Sequence, residues 1–407
     1  MTVTHHRPRS WPTCPQAPEP PARRQVARRT DYTWVAPPTD ANPAARAVRF
    51  TDFLLESGAV LPELVVTFQT WGRLAADASN AVLVEHALTG DSHVVGSAGP
   101  GQPTDGWWPD LIGPGCPLDT QELFVVAVNV LGGCRGTTGP GSAAPDGQAW
   151  GSRFPRTGIR DQVAAEAAIA DVLGIEAWHL VLGGSMGGMR TLEWVASHPE
   201  RTRGALALAT TAYATADQIA WGQAQTLAIA SDPDFCGGDY YGGDRRPTTG
   251  LGLARRIAHT TYRSADELND RFGGREQPGE DPLGDGRFAV ESYLDHQAGK
   301  LVGRFDAGAY VHLTRAMSTH DIARGRGSLA DVLGGYQGLL RVAAVDSDRL
   351  FPPELSQQIV AAHGRGRVRM MHSTHGHDGF LIETEEVSRI VRDALADLGP
   401  CSTGRVG

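Results

Sequence analysis

A serine flanked by glycines is the residue of this 407-residue chain best suited to nucleophilic chemistry. Residues 183–187, GGSMG, follow the apolar run 179–182 and precede a stretch with helical periodicity. A strand, a sharp turn and a helix form the setting of a nucleophile elbow, where glycines beside the serine avoid collisions with the neighbouring strand and helix. We predict that Ser185 is a nucleophile and that the N–H of Met186 faces an oxyanion, the alternative being a structural glycine turn.

A serine hydroxyl needs a histidine base and an acid that orients the histidine, and in this type of site they follow in the order serine, acid, histidine. Asp346 and Asp348 come directly after the apolar run 339–345, and the segment 375–380, HGHDGF, follows a second strand-like run. The two aspartates and the segment 375–380 thus each come just past the end of a predicted strand, as Ser185 does. Spacing alone does not choose between the two aspartates.

The histidines near the C-terminus also resemble a metal cluster, because His372, His375, His377 and Asp378 lie close together in sequence. Nothing upstream supplies further ligands at a characteristic spacing, and a serine-based site needs no metal. We therefore predict no metal.

A second backbone donor for the oxyanion is expected after an early strand. Residues 84–93, VEHALTGDSH, follow the apolar run 81–84. Leu88 or Thr89 would donate this N–H, and an ordinary loop with incidental polar residues is the equal alternative.

The elements that carry these residues alternate along the chain. Short apolar runs at 81–84, 123–130, 179–182, 205–209 and 339–345 read as fully buried strands. A helix is predicted from Ile159, with Gly174 as its stop. Strands separated by helices predict right-handed crossovers and a mostly parallel sheet, that is, an α/β fold.

The domain organisation follows from these patterns. Residues 1–47 are rich in Pro and Arg and are predicted to be a disordered tail. Residues 48–209 and 332–400 form the α/β core, 401–407 form a C-terminal tail, and the glycine-interrupted helical stretch 210–331 is an insertion over the carboxyl ends of the strands. Such an insertion is a candidate lid.

Composition excludes several classes of function. The 37 basic and 46 acidic residues give a net charge of −9, which opposes nucleic-acid binding. Five widely separated cysteines indicate neither a disulfide framework nor a zinc site and fit a reducing cytoplasm. No run of about 18 apolar residues exists and the arginine-rich N-terminus is not followed by a short apolar segment, so we expect neither a membrane span nor a secretory signal.

Ten motifs, taken together and in order, resemble those of the homoserine O-acetyltransferase family, acyltransferases of methionine biosynthesis with the α/β-hydrolase fold. With the first residue of each in parentheses, the motifs are HALTGDSH (His86), GWW (Gly106), NVLGGCRGTTGP (Asn129), GSRFP (Gly151), IRDQV (Ile159), GGSMGG (Gly183), LEWV (Leu192), ATADQI (Ala214), SDRLFP (Ser347) and GHDGF (Gly376). The resemblance spans nearly the whole chain apart from the N-terminal tail.

The resemblance implies a role for each site residue. It makes Ser185 the nucleophile, Asp348 the orienting acid and His377 the base. Arg255, Tyr262 and Asp378 would contact the amino-acid substrate, although the sequence does not show whether Arg255 or the adjacent Arg256 points inward. It also implies a ping-pong reaction with acetyl-CoA as co-substrate, no cofactor, and a homodimer formed through the lid.

Relatives within the family leave alternatives open. They include enzymes that act on L-serine or use succinyl-CoA, and one methylene of acceptor length is worth only about 1–3 kcal/mol of discrimination. An esterase or thioesterase would share the catalytic residues but would not need Arg255 and Asp378. A catalytically silent binding protein would lack a member of the triad, and in this chain Ser185, Asp348 and His377 are all in place.

Overall fold

The computed structural model describes residues 31–401 except Pro43. Its strands are β1 (Tyr32–Val35), β2 (Arg46–Leu54), β3 (Val60–Trp71), β4 (Ala81–Glu85), β5 (Ile112–Gly113), β6 (Leu118–Asp119), β7 (Phe124–Val128), β8 (Leu180–Gly184), β9 (Gly204–Leu208), β10 (Leu339–Val345) and β11 (Val368–Met371). Its α-helices are α1 (Ile159–Leu173), α2 (Met186–Ser197), α3 (Ala216–Ala230), α4 (Thr248–Tyr262), α5 (Ala265–Arg271), α6 (Ala289–Val302), α7 (Ala307–Ser318), α8 (Leu329–Gly334), α9 (Pro353–His363), α10 (Gly379–Ile382) and α11 (Thr384–Leu398).

Nine strands form one twisted sheet in the order β1-β2-β3-β7-β4-β8-β9-β10-β11. All pairs from β7 to β11 in this order are parallel, and β1, β2 and β3 add an antiparallel edge. The mostly parallel sheet confirms the predicted fold class. The five apolar runs that were predicted as strands coincide with β4, β7, β8, β9 and β10.

The strand before Ser185 shows why a parallel sheet needs apolar residues on both faces. Leu180 and Leu182 point to the layer that contains α11, whereas Val181 packs on the opposite side with Val163 of α1. All three strand residues are fully buried. Helices on both faces therefore hold β8 in the middle of the core, and its carboxyl end carries the predicted nucleophile.

The predicted N-terminal tail is wrong for residues 31–47, because Tyr32–Val35 pairs antiparallel with β2. The Arg46 guanidinium lies 4.4 Å from the Trp34 ring centroid, and the Trp34 ring is also 6.1 Å from that of Phe68. Most of β1 is exposed, so its sequence shows no alternation. It forms because the edge of β2 offers unpaired backbone groups and Trp34 gains a cation–π contact. Residues 1–30 of the predicted tail lie outside the described residues.

The insertion between β9 and β10 contains α3 to α7. Leu251 of α4 and Leu301 of α6 pack against Leu88 and Met186, which lie at the carboxyl ends of β4 and β8. The insertion therefore covers the edge of the sheet where the predicted site residues lie.

The boundary predicted between residues 331 and 332 is wrong, because it falls within α8. Leu333 is buried with Val342 of β10 and Ile359 of α9, so this helix packs with the core. At the other boundary, Cys401 packs, as Leu398 does, against the core cluster that contains Val391, and the remaining residues of the predicted C-terminal tail, 402–407, lie outside the described residues. No helix in the described part of the chain is long and apolar enough to cross a membrane.

Candidate active site

Ser185 lies in a strained turn between β8 and α2. Its φ of 58° and ψ of −123° are unfavourable for a residue with a side chain. A Cβ atom on Gly187 would lie 2.1 Å from the carbonyl oxygen of Glu85, and one on Gly183 would lie 2.6 Å from the Gly187 carbonyl carbon. Glycine is therefore required on both sides of the serine. The Thr210 hydroxyl, from the segment that follows β9, donates to the Ser185 carbonyl oxygen at 2.8 Å and fixes the turn.

The structure brings Ser185, His377 and Asp348 into one chain of hydrogen bonds. The Ser185 hydroxyl lies 2.9 Å from His377 Nε2, and His377 Nδ1 lies 2.6 Å from Asp348 Oδ2. The other oxygen of Asp348 accepts hydrogen bonds from the backbone N–H groups of Leu350 and Phe351, at 2.9 and 2.8 Å. All three site residues are buried, and the two N–H groups fix the carboxylate that orients the imidazole.

The charges around His377 oppose one another. Burial disfavours its imidazolium, whereas the negative charge and hydrogen bond of Asp348, together with the charge of Asp378, favour it. The carboxylates prevail, and the pKa of His377 lies above its usual value. This is the electrostatic setting of a base that must hold a proton during a reaction.

The other acidic and histidine candidates have different partners. Asp346 accepts from His372 Nδ1 at 2.8 Å, on the exposed surface. His375 lies 3.4 Å from the Arg263 guanidinium and 3.6 Å from Glu267. Among residues 31–401, Pro43 apart, no group of three or more His, Cys, Asp and Glu side chains could hold a metal ion. The geometry thus separates the histidines that the sequence places together.

Two backbone segments lie beside Ser185 as candidate oxyanion donors. Met186 is the first residue of α2, where a helical N–H has no partner within the helix. Leu88 and Thr89 lie in a turn closed by the Gly90 N–H, which donates to the Ala87 carbonyl at 2.9 Å. Leu88 is buried against Met186 in the same apolar cluster. Both segments that the sequence selected therefore adjoin the nucleophile.

His86 is a residue of this site whose role sequence reasoning missed. Its Nε2 accepts the Val130 N–H at 3.1 Å, so its proton must be on Nδ1, which donates to the Ala87 carbonyl at 2.8 Å. Burial and the charge of Arg190 lower the pKa of His86 to about 3. The neutral ring therefore ties the turn of Leu88 to the end of β7. The motif HALTGDSH was the only signal in the sequence that could have drawn attention to it.

A buried ionic network lies beneath this turn. Arg190 of α2 donates to Glu166 of α1 at 2.6 Å and to the His86 carbonyl at 2.6 Å. The Trp194 indole donates to the other Glu166 oxygen at 2.8 Å. Neighbouring Glu85 is fully buried, and burial followed by the charge of Glu166 raises its pKa well above the usual value. The network joins α2, which begins beside Ser185, to the turn of Leu88 and Thr89, the candidate oxyanion turn.

The structure distinguishes the two adjacent arginines of α4. Arg256 pairs with Asp295 at 2.6 Å. Arg255 has no acceptor among the described residues, although its Nε and Nη1 atoms are buried. Its guanidinium lies 5.4 Å from the Tyr262 ring centroid, and the Tyr262 ring lies 5.8 Å from that of His377. Arg255 is thus the one that carries an unsatisfied positive charge beside the site.

Asp378 supplies the opposite charge. Its carboxylate lies 3.2 Å from Arg263 Nε, too poorly aligned for a hydrogen bond. Burial raises the pKa of Asp378, while the charges of Arg263, Arg255 and His377 act in the opposite sense. A guanidinium without an acceptor and a partly buried carboxyl group therefore lie near His377. Arg263, which sequence reasoning missed, is the partner of Asp378.

Two small cavities adjoin these residues. One, of about 50 Å³, is mainly apolar and is lined by Leu88, Tyr262, Phe351 and residues of α3 and α7. The second, of about 190 Å³, is lined by Thr89, Arg255 and residues of α6. A larger cavity of about 810 Å³ lies between residues 151–158 and α7, but none of the predicted site residues lines it. The two smaller cavities are therefore the ones relevant to the triad.

Residues 80–382 match the family defined by the α/β hydrolase fold, and the chain has the sheet, elbow and order of site residues of that class. A homoserine O-acetyltransferase of Thermobifida fusca (strain YX) is 57% identical over 346 residues, which are 84% of this chain and 91% of that protein. The chain belongs to the homoserine O-acetyltransferase family, as its motifs predicted.

Solved structures support the fold independently. A homoserine O-acetyltransferase from Bacillus anthracis has a TM-score of 0.78 at 23% identity, over 87% of this chain and 98% of that one. Esterase E22 has the same TM-score and identity, over 86% of this chain and 98% of that one. A transferase and an esterase thus share this fold equally, so the fold itself does not choose between the two reactions.

Proposed function

We propose that this protein transfers the acetyl group of acetyl-CoA to the hydroxyl of L-homoserine through an acetyl-Ser185 intermediate. The observation that carries the proposal is that the unpaired Arg255 guanidinium and the partly buried carboxyl group of Asp378 both lie near the Ser185–His377 pair. An amino-acid acceptor carries the matching carboxylate and ammonium groups. The high identity to a homoserine O-acetyltransferase supports the same substrate.

In the first half of the reaction, His377 Nε2 accepts the Ser185 proton as the serine oxygen bonds to the thioester carbonyl carbon. The N–H groups of Met186 and of Leu88 or Thr89 stabilise the oxyanion. The carbon–sulfur bond then breaks, and His377 returns the proton to the CoA thiolate. Asp348 orients the imidazole and stabilises the imidazolium without accepting its proton.

In the second half, His377 accepts the proton of the homoserine hydroxyl, whose oxygen bonds to the acetyl carbon. The bond to Ser185 breaks, and the proton returns to the serine oxygen. Arg255 grips the α-carboxylate through its planar guanidinium, Asp378 takes the α-ammonium, and Tyr262 lies between Arg255 and His377. Because this clamp positions the hydroxyl and the insertion covers the site, transfer exceeds hydrolysis.

The enzyme requires no cofactor for this chemistry, acetyl-CoA being consumed as a co-substrate, and we propose that it acts in methionine biosynthesis in the cytoplasm. The four described cysteines are free, in keeping with a reducing compartment. We also propose a homodimer formed through the insertion. Ile219 and Leu227 of α3 and Leu253 of α4 are between 41% and 56% exposed, an apolar surface that a second copy would cover.

The experiment is steady-state release of free CoA from acetyl-CoA or succinyl-CoA with L-homoserine, L-serine or no acceptor, with each product identified by mass. Fast turnover only with acetyl-CoA and L-homoserine is expected. Preference for L-serine or succinyl-CoA would change the substrate but keep the mechanism. Equal CoA release with and without an acceptor would make the protein a thioesterase, and light scattering of the same sample reports the dimer.

A further inference from the structure

The cavity of about 190 Å³ beside the oxyanion turn is lined by three cationic side chains and by two carboxylates, Asp91 and Asp105. Gln297, Lys300, Leu301 and Arg304 line it at the spacing of one face of α6 and its extension, and Arg255 of α4 closes it. Lys300 is the only lysine in the sequence. The cavity could hold about six water molecules at ~30 Å³ each, or a group the size of a carboxylate or phosphate.

None of these three cations forms an ion pair within the described part of the chain. Arg304 Nη1 donates only to the Thr89 carbonyl, at 2.7 Å. Burial first, and then the charge of Arg255, lower the pKa of Arg304 to about 10. Two cations therefore repel one another in a partly dry site, and an anion between them would relieve that repulsion.

The two carboxylates of the cavity, Asp91 and Asp105, form no ion pair with these cations among the described residues, although the charge of Asp91 favours the Arg304 cation. Asp91 accepts a hydrogen bond from the His93 N–H at 2.8 Å, and Asp105 accepts one from the Ala98 N–H at 2.7 Å. The cavity also shares Thr89 with the oxyanion turn and Arg255 with the acceptor clamp. It thus adjoins the site where acetyl transfer is proposed.

We propose that Lys300 and Arg304, together with Arg255, form a binding site for a substrate oxyanion. This inference rests on the proposed function and extends it, because it assigns two residues of α6 and its end to substrate recognition. The shared chemistry is a multiply hydrogen-bonded anion, and its source is the α-carboxylate of the amino-acid acceptor or a phosphate of the CoA donor.

Kinetics distinguish the two sources. In a ping-pong reaction kcat/KM for each substrate reports only its own half-reaction, so Lys300→Gln is expected to lower one of the two values about tenfold and leave the other within twofold. A fall for L-homoserine alone identifies the carboxylate. A fall for acetyl-CoA that disappears with p-nitrophenyl acetate, a donor without phosphate, identifies the phosphate. Lys300→Arg is expected to restore the affected value, and Arg256→Gln is the matched control outside the cavity.

Because the chain has one lysine, binding can also be followed without turnover. Reductive ¹³C-methylation of the whole protein keeps the Lys300 charge, and the Lys300→Arg variant identifies its NMR signal against that of the N-terminal amine. Titration with inorganic phosphate, CoA or L-homoserine should shift the signal saturably, and Arg304→Gln should weaken that binding.

The proposal is overturned if no titrant shifts the Lys300 signal saturably and Lys300→Gln changes neither kcat/KM. It is equally overturned if Lys300→Gln lowers both values and also the rate with p-nitrophenyl acetate, since that pattern reports general damage to the site. A wild-type protein that shows saturable anion binding but no acetylation of L-homoserine would refute the proposed function and leave this site intact.

Discussion

Arg190 Nη2 donates a hydrogen bond to the carbonyl oxygen of His86 at 2.6 Å, and this contact joins the helix that begins beside Ser185 to the turn that carries Leu88 and Thr89. Both proposed oxyanion donors are thereby held by one buried guanidinium. A pair of N–H groups stabilises a transition state only when its geometry is fixed beforehand. The contact explains why a fully buried arginine is kept in the core.

Arg190→Met should destabilise the fold, because it leaves the Glu166 carboxylate buried without its cation. Removing one partner of a buried ion pair costs about 3–5 kcal/mol. The free energy of unfolding, measured by urea denaturation, should fall by this amount. The double variant Arg190→Met/Glu166→Gln should recover much of the loss, and equal stability of the two variants would contradict the role of the pair.

Ser185→Ala should abolish acetyl transfer while the fold persists. The loss should be about 10⁴-fold or more in kcat, because the nucleophile and the base act as one unit. Rapid mixing of the wild type with acetyl-CoA should show an acetyl group on the peptide that contains Ser185, and the variant should show none. Full activity in the variant would rule out Ser185 as the nucleophile.

The reaction of the free enzyme with acetyl-CoA should lose rate as the pH falls. His377 must be neutral to accept the Ser185 proton, and its pKa lies above the ordinary value of about 6.5. The acid limb of kcat/KM for acetyl-CoA should therefore have its midpoint above about 6.5.

Asp378→Asn is the matched test of the cause of that shift. Its carboxylate is one of the charges that favour the imidazolium, so the midpoint of the acid limb should move to lower pH. The raised pKa of His377 affects stability in the opposite direction: the rate rises with pH, whereas the contribution of His377 to the free energy of unfolding falls. A raised pKa in the folded state stabilises the fold below the unfolded pKa, and this contribution is lost as the pH rises through the folded pKa. An acid limb that does not move would assign the shift to Asp348 alone.

Arg255→Gln should lower kcat/KM for L-homoserine about 10- to 150-fold, because hydrogen bonds to a charged group contribute about 1.5–3 kcal/mol. Its kcat/KM for acetyl-CoA should change far less. With 3-aminopropan-1-ol, which has no carboxylate, the variant and the wild type should react equally slowly. Arg256→Gln is the control, because Arg256 pairs with Asp295 at a half-exposed site.

The sequence predicted the parallel part of the sheet because those strands are buried on both faces and are therefore continuous apolar runs. Asp346 and Asp348 could not be separated in that way, since both follow β10, and only the turn that brings the N–H groups of Leu350 and Phe351 to Asp348 makes the choice. Arg255 and Arg256 are adjacent on α4, about 100° apart, and only the pairing of Arg256 with the distant Asp295 distinguishes them.

The network of His86, Glu166 and Arg190 could not be predicted from the sequence for a similar reason. Its members come from three elements that are far apart in sequence, and each residue alone reads as an ordinary member of a loop or helix. Buried ionic partners of this kind have no local pattern. The long-range pairing of β1 with β2 escaped prediction for the same reason, because four mostly exposed residues carry no periodic signal.

The short strand β1 also acts as protection against self-association. It occupies the hydrogen-bonding edge of β2, and Trp34 secures it through Arg46. A chain that began at Arg46 would expose the outer edge of the nine-residue strand β2, which is a template for strand addition from a second molecule. Such a truncation should retain its triad yet form aggregates that scatter light and bind thioflavin, whereas a chain that begins at Asp31 should remain dispersed.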